Sequence, residues 1–178
     1  PLAESDALAD SVTEVILRRG SSRRFGRASL ASAQLSTILD HATRGIPADF
    51  LEPPGASLIT PYVIVHAVEG LDPGVYVYHR VSRALECLRA GDFRMQAGYL
   101  GLEQALPAEA SVNVYCLADL HALLARFGNR GYRAAQLEGG IIGGKLYLAG
   151  PAVLDASADK HPLSHPAPPS PSNRDPHA

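Results

Sequence analysis

A strand–turn–strand pattern in the middle of the chain constrains the fold most. The segments YVIVHAVEGL (62–71) and VYVYH (75–79) are rich in β-branched and aromatic residues, and the turn sequence GLDPG joins them. SRALECLR (82–89) follows closely enough to pair with the second segment. The sequence therefore predicts a meander of three antiparallel strands.

Helical periodicity surrounds this meander. Apolar residues at helical spacing predict helices over 5–19, 32–44, 92–106, 118–127 and 131–149. In the first of these, Leu8, Val12, Val15 and Ile16 share one face. The apolar run SVNVYCL (111–117) predicts a strand buried on both faces. The predicted class is therefore α+β, a small and mostly antiparallel sheet surrounded by helices.

Composition divides the chain in two. Residues 151–178 hold seven of the 14 prolines and no aromatic residue, so they offer too little apolar surface to offset the entropy of ordering. We expect one domain over 1–150 and a disordered Pro-rich tail over 151–178. No apolar run is long enough to span a membrane, and no leader peptide is recognisable, so a cytoplasmic location is expected.

Several kinds of site are disfavoured by residue spacing. Cys87 and Cys116 lie far apart, which excludes a disulfide scaffold, a zinc finger and a CxxC redox site. The histidines show no ligand spacing, so no metal is expected, and His66 is interpreted as a residue of the core or of a sheet edge. No Ser-His-Asp or Cys-His arrangement is visible, so the catalytic residues remain unknown.

An arginine-rich segment, RRGSSRRFGR (18–27), follows the first predicted helix. Guanidinium groups, serine hydroxyls and free backbone N–H groups are the donors that a phosphate site needs. The same composition also suits a solvated helix end, where cations are favoured by the helix dipole. Nucleic-acid binding is disfavoured, because the net charge is −2 and only one aromatic residue, Phe25, lies among the arginines.

A glycine-rich segment, EGGIIGGK (138–145), has the G-x-x-x-x-G-K spacing of a phosphate-binding P-loop. Leu146 stands where a serine or threonine would hold magnesium, and the preceding residues indicate a helix, so we reject the P-loop. Glycine inside a helix costs about 1 kcal/mol relative to alanine. The small residues therefore indicate a close approach, either of another helix or of a flat ligand.

Three segments together resemble the nitroreductase-like flavoproteins, especially their SagB-type (azoline) dehydrogenase branch. RRGSSRRF (18–25) is similar to the family's Arg-x-Ser-x-Arg-x-Phe element. VIVHAVEGLDPGVYVYH (63–79) is similar to its strand and hairpin, and GNRGYRAAQLEGGIIGGKLYLA (128–149) to its RGYR helix. These segments span most of residues 12–149.

The resemblance implies a nitroreductase-like fold and a homodimer with FMN bound at the interface between subunits. It implies that Arg19, Ser21 and Arg23 contact the flavin phosphate, ribityl chain or pyrimidine edge. It implies less clearly that the loop containing Pro54, Gly55 and Ser57 lies along the flavin. The partners would be NAD(P)H or a small-molecule or peptide substrate, with no nucleic acid and no membrane.

Two departures from the family accompany the resemblance. A Lys-Tyr pair of the azoline-oxidising members is replaced by Arg126 and Phe127, neither of which can serve as a base. After YLA (147–149) the chain continues into Pro-rich sequence where the family has its usual C-terminal segment. The leading hypothesis is an FMN-dependent oxidoreductase. The alternative is a non-catalytic interaction module with weak or no flavin binding.

Overall fold

The computed structural model describes residues 10–20, 24–51 and 56–158, with side chains to residue 154. In this part of the chain the helices are α1 (Val12–Arg18), α2 (Ser32–Thr43), α3 (Arg94–Leu100), α4 (Ala105–Glu109), α5 (Leu120–Phe127) and α6 (Arg130–Ala158). The strands are β1 (Ile59–Val65), β2 (Gly74–His79), β3 (Ala84–Ala90) and β4 (Val112–Ala118).

The strands form one antiparallel sheet in the order β3-β2-β1-β4. The meander expected from the sequence is β1-β2-β3, and the chain returns through α3 and α4 to place β4 on the other side of β1. The predicted α+β class is therefore confirmed.

One face of β1 carries the core. Alternate residues of a strand point to the same face, so Val63 and Val65 pack with Leu35 and Leu39 of α2. At the start of the same strand, Ile59 packs in a second cluster with residues of α5 and α6, namely Leu123, Ala135 and Ile142. Full burial of one such aliphatic side chain contributes about 1.5–3 kcal/mol. Helix α6 is thereby fixed against β1, with α2 and α5 beside it.

Two elements differ from the sequence prediction. The apolar segment 111–117 forms β4, which lies at an edge of the sheet; most of its residues are half-buried, and Leu117 is 49% exposed. The helix expected over 92–106 is two short helices, because Leu102 and Glu103 adopt left-handed backbone conformations with φ of 61° and 60°. A right-handed helix cannot continue through that conformation.

Helix α1 is shorter in the described chain than the predicted helix 5–19. It is capped by Ser11, whose hydroxyl accepts from the Glu14 N–H while the Glu14 carboxylate accepts from the Ser11 N–H. Of its predicted apolar face, Val15 is buried, whereas Val12 and Ile16 are 61% and 48% exposed. Leu8 lies outside the described residues. Among the described residues, the apolar face of α1 is thus only partly buried.

Helix α6 passes the domain boundary expected at residue 150. It runs through Pro151 and continues to Ala158, so the predicted boundary falls inside a helix. Residues 159–178, the rest of the predicted tail, lie outside the described residues.

Limited proteolysis is expected to trim the chain from its C-terminal end and leave a resistant core of roughly 150 residues. The reason is that the sheet and its flanking helices bury apolar side chains in two clusters, whereas the sequence beyond α6 offers few large apolar residues. Mass spectrometry of a protease time course would locate the cuts. Early cleavage between residues 62 and 79 would contradict the domain assignment.

Candidate cofactor site

The site begins where α1 ends. Arg19 is the C-terminal cap of α1, and its backbone N–H donates to the Val15 carbonyl at 2.9 Å. Its φ and ψ of −64° and 139° turn the chain out of the helix. The arginine-rich segment therefore leaves α1 in an extended conformation at Arg19.

The Arg19 side chain stacks on α6. Its guanidinium carbon lies 4.1 Å from the centre of the Tyr147 ring, a contact worth about 0.5–2 kcal/mol. Its Nε atom is buried and has no hydrogen-bond partner among the described residues. A buried donor without a partner costs about 1–3 kcal/mol. Arg19 is therefore a fixed cation with hydrogen-bonding capacity left for an anionic group.

Of the other residues predicted to bind the cofactor, only Ser57 lies in the described part of the chain. Ser21, Arg23, Pro54 and Gly55 lie outside the described residues. Ser57 is described, and its hydroxyl bonds within the chain: it contacts the Glu138 carboxylate, lies 2.9 Å from the Ile59 carbonyl, and accepts from the Ile59 N–H at 3.2 Å. The Ser57 hydroxyl thus makes hydrogen bonds within the chain that hold the start of β1.

Glu138 is the site residue that sequence reasoning missed. It lies on α6, is 1% exposed, and accepts from the Leu58 N–H at 2.6 Å as well as contacting the Ser57 hydroxyl. Both partners lie about 80 positions earlier in the chain. Local spacing carries no signal for such a contact, although a glutamate amid small and apolar helical residues does stand out.

Lys145 makes a similar contact two helical turns further along α6. Its ammonium group donates to the Gly45 carbonyl at 2.8 Å. Gly45 has φ of 94° and follows α2, the position at which the sequence predicts the end of that helix. The segment with P-loop spacing is helical throughout, as the sequence predicts, and its lysine binds backbone of the same chain.

Two other reactive side chains of the described chain, Cys116 and His66, have pKa values that burial shifts. Burial, and secondly the charge of Glu138, raise the pKa of the Cys116 thiol, which keeps it protonated. Burial, and secondly Arg94, lower the pKa of His66, whose Nε2 lies 3.2 Å from the Asn113 amide nitrogen. Within the ranges that the structure describes, no group of three or more His, Cys, Asp or Glu side chains could hold a metal ion.

Two further features lie on other elements. Arg126 stacks on the neighbouring Phe127 ring at 4.7 Å, at the end of α5. A shallow cleft of about 630 Å³ runs between α3 and α4, where Met95 and Tyr99 are largely exposed. Neither feature shares a residue with the Arg19 site.

Solved structures similar to this chain share its fold. A protein from Anabaena variabilis described as a nitroreductase matches with a TM-score of 0.70 and 25% identity, over 80% of this chain and 30% of its own. One from Ralstonia eutropha, described in the same way, matches with a TM-score of 0.64 and 22% identity, over 85% and 70%. The chain has the nitroreductase fold.

A third similar structure is the E. coli microcin synthetase McbBCD complex with truncated pro-MccB17 bound. It matches with a TM-score of 0.55 and 18% identity, over 88% of this chain and 61% of that chain. No protein-family model and no curated protein matches the sequence. The chain covers less than a third of the length of the Anabaena protein described above.

Among the helices of the described ranges, none is both long enough and apolar enough to cross a bilayer.

Proposed function

We propose that this chain is the flavin-binding part of an FMN-dependent oxidoreductase of the nitroreductase type, with Arg19 binding the FMN phosphate. The observation that carries the proposal is the Arg19 guanidinium, which is stacked on Tyr147 and keeps a buried Nε without a described partner. A phosphate oxygen is the acceptor that this donor suits best, since arginine and phosphate form short charge-assisted hydrogen bonds.

The chemistry of the reaction would belong to the cofactor. A bound flavin supplies two-electron transfer, and the protein binds it, orients it and excludes water. Ser21 and Arg23 follow Arg19 closely in sequence, and we propose that they contact the same cofactor, with Arg23 nearest its pyrimidine edge. Pro54 and Gly55 would lie along the flavin, with Ser57 acting through its internal hydrogen bonds.

The proposed substrate class is supported by the SagB-type resemblance of the sequence. We propose that the electrons pass between NAD(P)H or a small-molecule or peptide substrate and the flavin. Azoline oxidation through a Lys-Tyr pair is not part of the proposal, because Arg126 and Phe127 occupy those positions. Cys87 and Cys116 are free thiols, which suits a reducing compartment such as the cytoplasm.

We further propose that the functional unit is a homodimer formed through α1 and α6. These helices contact each other and expose apolar side chains that a single chain leaves uncovered; they are Val12, Ile16, Leu17, Leu137, Tyr147 and Leu154. Along the same face of α6, a Cβ atom at Gly140, Gly143 or Gly144 would meet nothing within 4 Å. A second copy of the face could therefore approach closely, as symmetric dimers require.

Static light scattering is expected to give twice the chain mass of 18.8 kDa. The physical reason is that the exposed apolar face of α1 and α6 gains burial only between subunits. A monomer with FMN fully bound would contradict the dimeric site.

The proposed function is tested by titrating FMN into the purified chain while recording the visible flavin spectrum. The expected result is a saturable spectral shift and a yellow protein after gel filtration. The absence of binding at about 100 μM FMN, equivalent to less than about 5.5 kcal/mol of affinity, would contradict the proposal. The exposed apolar face would then favour the second candidate, a non-catalytic interaction module with the same fold.

A further inference from the structure

His66 lies where the sheet meets α4. It directly follows β1 and is 7% exposed. Its backbone N–H donates to the Ser111 carbonyl at 2.9 Å, and Ser111 belongs to the short segment that connects α4 to β4. Histidine is the side chain whose ordinary pKa lies closest to neutral pH. A titratable ring is therefore held inside the junction between the sheet and α4.

The side chain of Asn113, on β4, connects this ring to α4. Its Nδ2 atom donates to the Pro107 carbonyl, a backbone group of α4, at 2.8 Å and lies 3.2 Å from His66 Nε2. The opposite orientation of the amide would turn its oxygen toward the Pro107 carbonyl and place two acceptors face to face. One amide hydrogen is therefore directed to α4 and the other to His66, whose Nε2 acts as the acceptor. We call this pair of contacts the Asn113 bridge.

Protonation of His66 is incompatible with the Asn113 bridge. In the neutral ring Nε2 accepts and the hydrogen lies on Nδ1, which is buried and has no hydrogen-bond partner among the described residues. In the charged ring both nitrogens are donors, so an N–H group would face the N–H₂ group of Asn113. Rotation of the amide would relieve this conflict only by breaking the bond to the Pro107 carbonyl. The bridge between β4 and α4 thus requires a neutral His66.

The charged groups that act on His66 are Asp92 and Arg94, at the start of α3, whereas β4 and α4 face it with the uncharged Asn113 amide and Pro107 carbonyl. Burial lowers the pKa of His66 most and Arg94 lowers it further, while Asp92 and the Pro107 carbonyl act in the opposite direction. Arg94 also donates to a carbonyl of α4 at 2.5 Å. A charged His66 would therefore repel the same guanidinium that joins α3 to α4.

We propose that His66 and Asn113 form a pH switch, in which neutral His66 keeps α4 on the sheet and protonated His66 releases it. Helix α4 forms one wall of the cleft between α3 and α4, through Ala105 and Ala108. Release of α4 therefore opens this cleft at acidic pH. The switch shares no residue with the Arg19 site and requires no cofactor.

The direction of the pH dependence follows from which form of the protein binds the proton. When α4 is released, water reaches His66 and its pKa returns toward the ordinary value of about 6.5. While α4 is bound, the pKa of His66 is lower. The contact of α4 with the sheet is thus at full strength above the higher of these two pKa values and weakens as the pH falls below it. Between the two values, release becomes about tenfold more favourable for each pH unit.

Three variants separate the switch from other effects of acid. His66→Gln removes the titration but keeps an acceptor for Asn113, because the glutamine oxygen can take the place of Nε2. Asn113→Leu removes the bridge and keeps a side chain of similar volume. The matched control is His79→Gln, since His79 is an exposed histidine of β2 whose Nε2 lies 2.7 Å from the Glu86 carboxylate of β3.

The experiment follows the full chain by NMR and measures the titration of the His66 ring and the hydrogen exchange of two amides, corrected for the intrinsic effect of pH. The Ala110 N–H donates to the Leu106 carbonyl at 3.0 Å, so its protection reports an intact α4. The Leu35 N–H donates to the Ala31 carbonyl at 3.1 Å and reports opening of the core at α2. We expect Ala110 to be less protected than Leu35, and its protection to fall by about tenfold between about pH 7.5 and about pH 5.5.

The variants are expected to change this result in different ways. In His66→Gln the same change of pH should alter Ala110 protection by less than about threefold. In Asn113→Leu the protection of Ala110 should be low at both pH values, because the bridge is absent whatever the charge of His66. His79→Gln should behave like the unmodified chain.

Each contrary result overturns the switch. Equal protection of Ala110 and Leu35 would mean that α4 opens only when the whole fold opens. A tenfold change that persists in His66→Gln, or that disappears in His79→Gln, would assign the pH dependence to another group. Full protection of Ala110 in Asn113→Leu would mean that the bridge does not hold α4. A His66 pKa at or above about 6.5 in the unmodified chain would mean that the bound α4 does not oppose protonation.

Discussion

Replacing Arg19 by alanine is expected to weaken FMN binding by about 10- to 150-fold. The guanidinium is stacked on Tyr147 and has a buried Nε available for an acceptor. A charge-assisted hydrogen bond contributes about 1.5–3 kcal/mol, and each 1.4 kcal/mol changes the affinity tenfold. Isothermal titration or flavin fluorescence would measure the change. Arg23→Ala is expected to show a loss in the same range.

The control for Arg19 is Arg27, which is exposed and lies beyond the matched sequence element. Its φ of 54° makes Arg27→Asn the better control substitution, because asparagine tolerates the left-handed backbone conformation. This change is expected to alter FMN affinity by less than about threefold, as for a solvated surface charge.

Riboflavin separates the phosphate contact from the ring contacts. It lacks the phosphate and is expected to bind the unmodified chain poorly. Replacing an arginine that contacts only the phosphate should leave the affinity for riboflavin nearly unchanged. If Arg19→Ala weakens the affinity for FMN and for riboflavin equally, Arg19 contacts a part of the flavin other than the phosphate. No loss for either ligand would return the arginine cluster to the role of a charged helix end.

The meander was predictable because its signals are local. Alternating β-branched and aromatic residues mark β1 and β2, and Asp72-Pro73-Gly74 marks the turn between them. Gly74 also has a tertiary role that the turn pattern does not reveal. A Cβ atom there would lie 2.6 Å from the Arg89 carbonyl oxygen, on the neighbouring strand β3. The sequence thus predicted the role of Gly74 in the turn but not its close contact with β3.

The hydrogen bonds of Glu138 and Lys145 to distant backbone groups were not predictable from the same kinds of pattern. Glu138 binds a backbone N–H 80 positions away, and Lys145 binds a carbonyl 100 positions away. Periodicity places both residues on one side of a helix, but it cannot state which loop passes that side. The arginine-rich segment could be named as a candidate site from sequence, because its donors are concentrated within ten residues, and its role as a phosphate site stays a prediction.

Apolar content was an unreliable guide to burial in two elements. The segment 111–117 is as apolar as a central strand, yet β4 lies at the sheet edge, and α1 leaves Val12 and Leu17 mostly exposed. A pattern records that a side chain is suited to burial, not which surface buries it. For α1 we propose that a second copy of the chain provides that surface.

Gly131→Ala is expected to destabilise the chain by about 3 kcal/mol, at the upper end of the usual cost of overpacking. A Cβ atom at this position would lie 2.6 Å from the carbonyl oxygen of Leu123 and 2.9 Å from its carbonyl carbon. Both atoms are backbone of α5, so α5 and α6 must separate to admit a methyl group. For a chain of this length the melting temperature should fall by roughly 6–12 °C, measurable by circular dichroism.

Gly140→Ala is the matched control on the same helix. In the isolated subunit this substitution is expected to raise the stability rather than lower it. A Cβ atom at Gly140 meets nothing within 4 Å, so the helical preference for alanine should stabilise a dilute, monomeric sample by about 1 kcal/mol. In concentrated samples the same methyl group would obstruct a second α6, so dimer formation should weaken.

An unchanged melting temperature for Gly131→Ala would contradict the close packing of α5 on α6. A Gly140→Ala chain that dimerises as readily as the unmodified one would contradict an interface built on the glycine face.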